Sequence, residues 1–234
     1  MPELIANTIL LIDYQPLILS FKLALLTTFI LLPLAIPLAY WFSGKQYFWK
    51  LLIEACFTMP LVLPPSVLGF YLLVAFNPSH NPAKWLLEHL NIDLAFSFKG
   101  LLVGSIIYSL PFMLGPIKAA FQQLPTSLKQ ASFAIGKTKI QTFYYILLPN
   151  MKTAIASGMV LTLAHTLGEF GVVLMIGGNI PGKTRLASMA IYDSVETMNY
   201  AEAYTYSYIL FAITFILVLG TFMFNRTNLI SRLK

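Results

Sequence analysis

The sequence is poor in charged residues and in cysteine. Only 10% of its 234 residues are charged, whereas 58% are hydrophobic. A water-soluble domain of this length could not cover its surface with so few polar groups, so the composition predicts an integral membrane protein. The single cysteine, Cys56, lies in an apolar run and has no partner within the chain, which excludes an internal disulfide framework.

Other absences exclude further kinds of site. Residues 1–13 contain no lysine or arginine, so the basic start of a removable signal peptide is missing, and we expect the first long apolar segment to be an uncleaved anchor. No glycine-rich phosphate loop of the Walker type occurs, so ATP must be bound by another chain. The three histidines and Cys56 show no metal-ligand spacing, and no metal site is predicted.

Long apolar runs dominate what the sequence does contain. A membrane helix needs about 20 mainly apolar residues. Five stretches are long enough: Leu17 to Phe42, Leu51 to Phe76, Leu101 to Phe121, Ala154 to Ile176 and Tyr204 to Phe224. The segment from Glu3 to Leu11 is too short to span, and we place it as an interfacial lead-in. The predicted fold class is an all-α integral membrane protein, a single transmembrane domain over residues 1–234, with about five spans, or six if the N-terminal segment adds one.

The distribution of basic residues predicts the orientation of these helices. With the N-terminus outside, ten of the fifteen lysine and arginine residues fall in cytoplasmic segments, as the positive-inside rule requires. The C-terminus then lies in the cytoplasm. This bias accounts for most of the net charge of +6, so the charge gives little reason to expect nucleic-acid binding.

The longest predicted cytoplasmic segment lies between the third and fourth spans, at about residues 122–150. Pro125 and the hydroxyl residues after it predict a helix start, and Gly136 predicts a corner, because glycine best tolerates a left-handed backbone. A second helix is expected from Thr138 to Leu147, ending before Pro149. Such an element suits insertion into a groove on a soluble partner, and an ordinary solvated loop is the alternative.

This loop also carries a spacing that resembles a known family. Bacterial ABC importer permeases have here the pattern Glu-Ala-Ala, three residues, Gly, nine residues, Ile-x-Leu-Pro. At those spacings the chain has Gln130, Ala131, Ser132, Gly136, Ile146, Leu148 and Pro149. Glutamine and serine replace the usual glutamate and second alanine, so the acid that could form a salt bridge to the ATPase is absent. The resemblance implies that the loop couples the permease to a cytoplasmic ATPase.

Two predicted spans contain residues that disturb a helix or are costly in lipid. In the second, Pro60, Pro64 and Pro65 remove backbone donors, so the helix must kink or break, either to face a translocation path or for packing. In the fourth, Glu169 either lines a pore or is hydrogen-bonded, between helices or to His165. The candidates for the translocation path or gate are Pro64, Pro65, Ser66, Thr166, Glu169 and Asn179.

The stretches PLVLPPSVLGFYLL and LGEFGVVLMIGGNIPGKT resemble the permease subunits of molybdate ABC importers. The resemblance covers nearly the whole chain from Leu17 onward. It implies a type I importer permease fold like that of the methionine importer, a location in the bacterial inner membrane, and a homodimer of this chain. It further implies a dimer of cytoplasmic ABC ATPases and a periplasmic or extracellular molybdate-binding protein. No cofactor is expected on this chain, because ATP and Mg belong to the partner ATPase.

The same residues also bear on alternative functions. Permeases for tungstate, sulfate or thiosulfate have related forms of both stretches, so the anion stays open. A secondary transporter or channel would commonly show internal repeats and a charged relay, and neither is found. An intramembrane hydrolase would need Ser157 and His165 to meet, but their separation along one helix is roughly 12 Å at about 1.5 Å per residue. No catalytic residue is therefore predicted.

Overall fold

The computed structural model describes residues 12–45, 47–79, 83–90 and 93–232, and every regular element within those ranges is helical. The predicted N-terminal lead-in, from Glu3 to Leu11, lies outside the described residues. The helices are α1 (Gln15–Ser43), α2 (Phe48–Thr58), α3 (Pro65–Ala75), α4 (Ala83–Leu90), α5 (Phe98–Gln123), α6 (Thr126–Ala134), α7 (Lys139–Thr142), α8 (Leu148–Asn150), α9 (Lys152–Gly168), α10 (Gly171–Gly177), α11 (Ala187–Glu196) and α12 (Tyr200–Arg232).

The described helices fit the predicted number of membrane spans. By length and hydropathy, α1, α5 and α12 could each cross a membrane unbroken. Two further pairs of segments pass the same criterion but are bent, by 110° between Phe48–Leu61 and Pro65–Ala75 and by 70° between Lys139–Asn150 and Lys152–Gly168. Counting each bent pair as one span gives up to five. Of the second pair, Lys139–Asn150 belongs to the loop predicted to be cytoplasmic, so only α9 is part of the fourth span. The all-α membrane fold is confirmed.

The second span breaks where its prolines predict a break. A 3-10 turn at Met59–Leu61 continues α2, and Pro65 then begins α3. Pro64, just before it, has φ −54° and ψ 133°, which is an extended conformation. A proline at the first helical position loses nothing, because that backbone N–H would have no partner within the helix. The chain can therefore turn sharply here.

The fourth span differs from the single helix predicted over residues 154–176. Helix α9 ends at Gly168, and Glu169 is extended with ψ 131° before α10 begins. The backbone carbonyl of Glu169 accepts a hydrogen bond from Ser188 Oγ at 2.6 Å, so a neighbouring element satisfies a group that the break leaves free. Hydropathy cannot detect such a break, because the residues on both sides are apolar.

The 122–150 loop folds into two helical arms joined by a corner. Gly136 has φ +78°, which confirms the predicted left-handed corner after α6. The second arm begins with a capping box in which Thr138 and Gln141 each accept from the other's backbone N–H. It runs beyond Pro149 to Asn150, contrary to prediction, and a π-helical turn at Phe143–Leu147 precedes the proline. A widened turn is one way for a helix to accommodate a missing N–H.

The core forms around α1 and α5, which pack along each other. One apolar cluster joins the first half of α1, through Leu23, to α3, α5 and α10. A second joins the later half of α1 to α5 and the end of the 122–150 loop, where Leu147 and Met151 are buried. A third, around Tyr206, ties α1 to α11 and α12. This arrangement leaves α3 and α10 side by side at one end of the bundle.

Candidate functional site

An open cleft of about 620 Å³ lies where the two broken spans meet. The first residues of α3 form one wall, α5 contributes Tyr108, and the end of α9 with the start of α10 forms the other wall. The lining residues are Pro65, Ser66, Tyr108, Ala164, His165, Gly168, Glu169, Phe170 and Gly171. The breaks at residues 62–64 and 169–170 therefore border one space.

Glu169 is the acidic residue of this cleft. Its side chain is almost completely buried, with 3% of the residue exposed. Oε2 accepts a hydrogen bond of 2.8 Å from Ser105 Oγ on α5. Oε1 is buried and has no hydrogen-bond partner among the described residues. Of the alternatives that the sequence left open, the structure shows a carboxyl group that bonds between helices and also lines a cleft.

A second polar contact crosses between α5 and α9 one turn away. Ser109 Oγ lies 3.0 Å from His165 Nδ1 and 3.0 Å from Thr166 Oγ1. Thr166 Oγ1 also donates to the Thr162 carbonyl at 2.9 Å. The imidazole ring of His165 stacks on Phe112, with ring centroids 3.8 Å apart. His165 is thus held by Ser109 and Phe112, both on α5. It bonds to Ser109 and not to Glu169, which was one of the predicted alternatives.

The Ser109 and His165 contact has the distance of a nucleophile and its base, but its setting does not suit hydrolysis. Ser109 is fully buried and shares its hydroxyl with Thr166, so a substrate carbonyl has no approach to it. In the part of the chain that the structure describes, no three His, Cys, Asp or Glu side chains are grouped to hold a metal ion. The arrangement is that of a polar surface within a helical bundle.

The structure brings together only some of the path residues predicted from the sequence. Pro65, Ser66 and Glu169 line the cleft. Pro64 immediately precedes α3, and Thr166 is buried behind the cleft wall, bonded to Ser109. Asn179 lies apart from this group, in the turn after α10.

Asn179 belongs to a polar cluster that fixes the segment between α10 and α11. It has a left-handed φ of +53°. Its Nδ2 donates to both carboxylate oxygens of Asp193, at 2.9 and 2.8 Å. Arg185 Nη2 lies 3.0 Å from Asp193 Oδ2. Since Arg185 and Asp193 pair with each other, they fix the segment from within.

The 122–150 loop packs into the second core cluster at its end and presents an apolar surface on its outer side. Large side chains protrude from both arms; Ile135 is 72% exposed, Ile140 71% and Tyr145 69%. Lys137 Nζ lies 5.4 Å from the centre of the Tyr145 ring, a cation–π contact that links the corner to the second arm. Exposed apolar side chains flanked by lysines are typical of a protein-binding surface.

The residues of the family-like spacing take different places within this loop. Ser132 is buried, and its Oγ lies 2.8 Å from Thr142 Oγ1, which ties the two arms together. Gly136 forms the corner. The remaining positions are exposed in the case of Gln130, Ala131 and Pro149, and half-buried in the case of Ile146 and Leu148.

The contacts between α5 and α9 were not predicted, although a signal for them exists in the sequence. Ser105 and Ser109 are four residues apart, as are Thr162 and Thr166, and each pair therefore lies on one helix face. His165 and Glu169 have the same spacing. Polar pairs at this spacing in an apolar span indicate a face that packs against another helix rather than lipid.

Comparisons with known proteins agree with this architecture. Residues 31–232 match the family described as binding-protein-dependent transport system inner membrane component. The molybdenum transport system permease protein ModB of Azotobacter vinelandii is 42% identical over 82% of this chain and 85% of its own length. ModB of Haemophilus influenzae is 34% identical over 80% of this chain and 81% of its own length. The inward-facing MetNI methionine ABC transporter is similar in fold, with a TM-score of 0.66, 17% identity and coverage of 92% of this chain and 93% of that one.

Proposed function

Because the chain belongs to the family of binding-protein-dependent transport system inner membrane components, we propose that it is the permease subunit of an ATP-driven molybdate importer. The similarity to molybdenum permeases over most of the chain supports the choice of anion. Two copies of the chain would enclose the path. A dimer of ABC ATPases would bind ATP and Mg on one side, and a molybdate-binding protein would deliver the anion on the other.

The observation that carries the proposal of ATP coupling is the geometry of the 122–150 loop. A corner at Gly136 and the buried bond between Ser132 and Thr142 hold two short helices as one projecting unit. The unit exposes isoleucine and tyrosine side chains that a groove on the ATPase would cover. A rigid unit is required, because a flexible loop would absorb the movement of the ATPase instead of transmitting it.

The proposed orientation places this loop in the cytoplasm, with the N-terminus outside and the C-terminus inside. The positive-inside rule supports it. Lys118 and Lys129 lie at the loop's end of the bundle, where Lys118 forms an ion pair with Glu54 and Lys129 lies over the ring of Tyr40. Basic side chains at this end match the cytoplasmic side of an inner membrane.

The proposed path runs along the cleft where the two spans break. Helix α3 begins there at Pro65 and Ser66, so the positive end of its dipole borders the cleft and favours an anion. None of the described residues that line the cleft is a lysine or an arginine, and a weakly binding path is sufficient when the binding protein supplies selectivity. Thr166 supports the wall from behind, and Asn179 with Asp193 holds the segment that follows α10.

A test of this proposal is uptake of labelled molybdate by liposomes containing this chain, its ATPase and the binding protein. We expect Gly136→Val to reduce ATP-dependent uptake at least about tenfold, because a β-branched residue in a left-handed conformation costs upwards of about 1–2 kcal/mol. A Cβ at Gly136 would meet no atom within 4 Å, so the change acts on the backbone alone. Gly220→Ala, which also meets no atom within 4 Å, is the matched control.

The outcomes separate the parts of the proposal. Uptake of sulfate without molybdate would overturn the choice of anion and leave the permease. Uptake that continues without the ATPase would overturn ATP coupling. Wild-type uptake by Gly136→Val, with the protein present in the liposomes, would show that the corner is not needed for coupling.

A further inference from the structure

Glu169 lies in the wall of the cleft, and its carboxyl group has few hydrogen bonds. It lies at the break between α9 and α10, within the wall of the cleft. One of its oxygens accepts a single hydrogen bond, from Ser105, and the other is buried without a partner among the described residues. A carboxylate that has lost its hydration needs several hydrogen bonds or a cation to remain ionised.

The ion pairs among the described residues do not involve Glu169. The ion pairs join Lys84 to Glu88, Lys118 to Glu54 and Arg185 to Asp193. Lys22 lies over the ring of Phe98, at the start of α5. None of these contacts includes Glu169, so no cationic side chain in the described part of the chain forms an ion pair with this carboxyl group.

The titratable groups on the surrounding elements do not compensate it either. On α9, His165 bonds to Ser109. On α5, Tyr108 packs edge-on against the His165 ring. On α11, Tyr192 lies beside Phe170 and donates to Glu196, while Asp193 pairs with Arg185. The residues that line the cleft from α3 and α10 are not titratable.

We propose that Glu169 is a proton-binding site, which holds a neutral carboxylic acid beside the cleft while an oxyanion passes. The inference rests on the proposed function, because only an anionic substrate makes the charge of this group decisive. An ionised carboxylate in the wall of the cleft would repel a dianion that passes through it. The protonated group removes that repulsion, and Ser105 then donates to its carbonyl oxygen. Loss of the proton therefore closes the cleft to anions.

The direction of the pH effect follows from this assignment. A proton is bound at low pH and released as the pH rises, so uptake falls on the alkaline side. Glu169→Gln keeps an acceptor for Ser105 and replaces the acid hydroxyl by an amide that does not titrate. We expect the wild type to lose about tenfold or more in uptake rate once Glu169 ionises, because the repulsion between one charge and a dianion in contact exceeds one factor of ten even at the dielectric constant of water.

The first arm of the test does not depend on transport. The infrared spectrum of the importer in lipid nanodiscs at neutral pH should contain the carbonyl stretch of a protonated carboxyl group. Glu169→Gln should remove this band, whereas Glu88→Gln, at an exposed residue of α4, should retain it. If Glu169→Gln fails to assemble, Ser105→Ala serves instead: it removes a hydrogen bond to the carbonyl and should shift the band to higher frequency.

The second arm measures molybdate uptake by the reconstituted importer from mildly acidic to alkaline pH. The uptake rate of each protein at alkaline pH is compared with its own rate at acidic pH. This ratio should fall for the wild type and for Glu88→Gln, and it should stay near one for Glu169→Gln. A spectrum in which Glu169→Gln changes no band, or uptake with one pH profile for both proteins, would overturn the inference. Failure of the wild type to take up molybdate at any pH would count against the proposed function, and the infrared result would still decide whether Glu169 binds a proton.

Discussion

The contact between α5 and α10 can be tested with a pair of compensating substitutions. A Cβ placed on Gly104 of α5 would lie 2.3 Å from Ile176 Cδ1, while the next atoms, Ile176 Cγ1 and Leu72 Cδ1, are 3.8 Å away. Ile176 is fully buried. One methyl group on one side chain is therefore all that prevents an alanine at this position.

The expected energies follow from this geometry. Gly104→Ala alone should cost about 1–3 kcal/mol of unfolding free energy through overpacking. The higher helix propensity of alanine should offset up to about 1 kcal/mol of this cost. Ile176→Val alone removes Cδ1 and should cost about 0.5–1.5 kcal/mol. In the double variant the new methyl fills the space of the lost one. Its stability should lie within about 0.5 kcal/mol of the wild type, so the two changes are strongly coupled.

The measurement is equilibrium unfolding in mixed detergent micelles with increasing SDS, followed by far-ultraviolet circular dichroism. Gly220→Ala is the matched control, because it adds the same methyl group in open space and should not couple to Ile176→Val. If the double variant lost as much stability as the two single variants added together, the contact would not be the close approach of α5 and α10 described here.

Two further predictions concern the loops at the ends of the bundle. Ser132→Ala should lower the stimulation of the partner ATPase by the permease, measured as the rate of ATP hydrolysis. The change leaves the buried Thr142 hydroxyl without its partner across the loop, which costs about 0.5–1.5 kcal/mol of stability. Asn179→Ala should unfold at lower SDS than Asn179→Gly, and its unfolding free energy should be about 1 kcal/mol smaller. Both variants lose the bonds to Asp193, but only alanine is strained at φ +53°. Equal stability of the two Asn179 variants would argue against that strain.

Features that depend on local chemistry were predicted from the sequence. The apolar runs predict the spans, since a membrane requires long apolar segments of any chain. Consecutive prolines predict the break before α3, and Gly136 predicts the corner, because each is a property of one or two residues. The capping box of Thr138 and Gln141 was not predicted, although its signal is equally local, a hydroxyl residue followed three positions later by glutamine.

Features that depend on neighbouring helices were not predictable in this way. The break at Glu169 is stabilised by Ser188, 19 positions along the chain. The partner of the Glu169 carboxyl group, Ser105, lies 64 positions earlier. Helical spacing places each of these residues on a face, but it does not say which faces meet. The helix through Pro149 shows the same limit, because it continues to Asn150 and ends before Met151, which is buried in the second core cluster.

The two broken spans explain why the cleft lies where it does. A break in a membrane helix frees backbone groups that lipid cannot satisfy, so it must face protein or water. Here the breaks lie against each other: a Cβ on Gly171, at the start of α10, would lie 2.7 Å from Pro65 Cβ, at the start of α3. One cleft can then serve both breaks, and Glu169 and Ser66 border it. Since an unbroken pair of helices would leave fewer backbone groups to satisfy, the two adjacent breaks support the proposal that the path runs through this cleft.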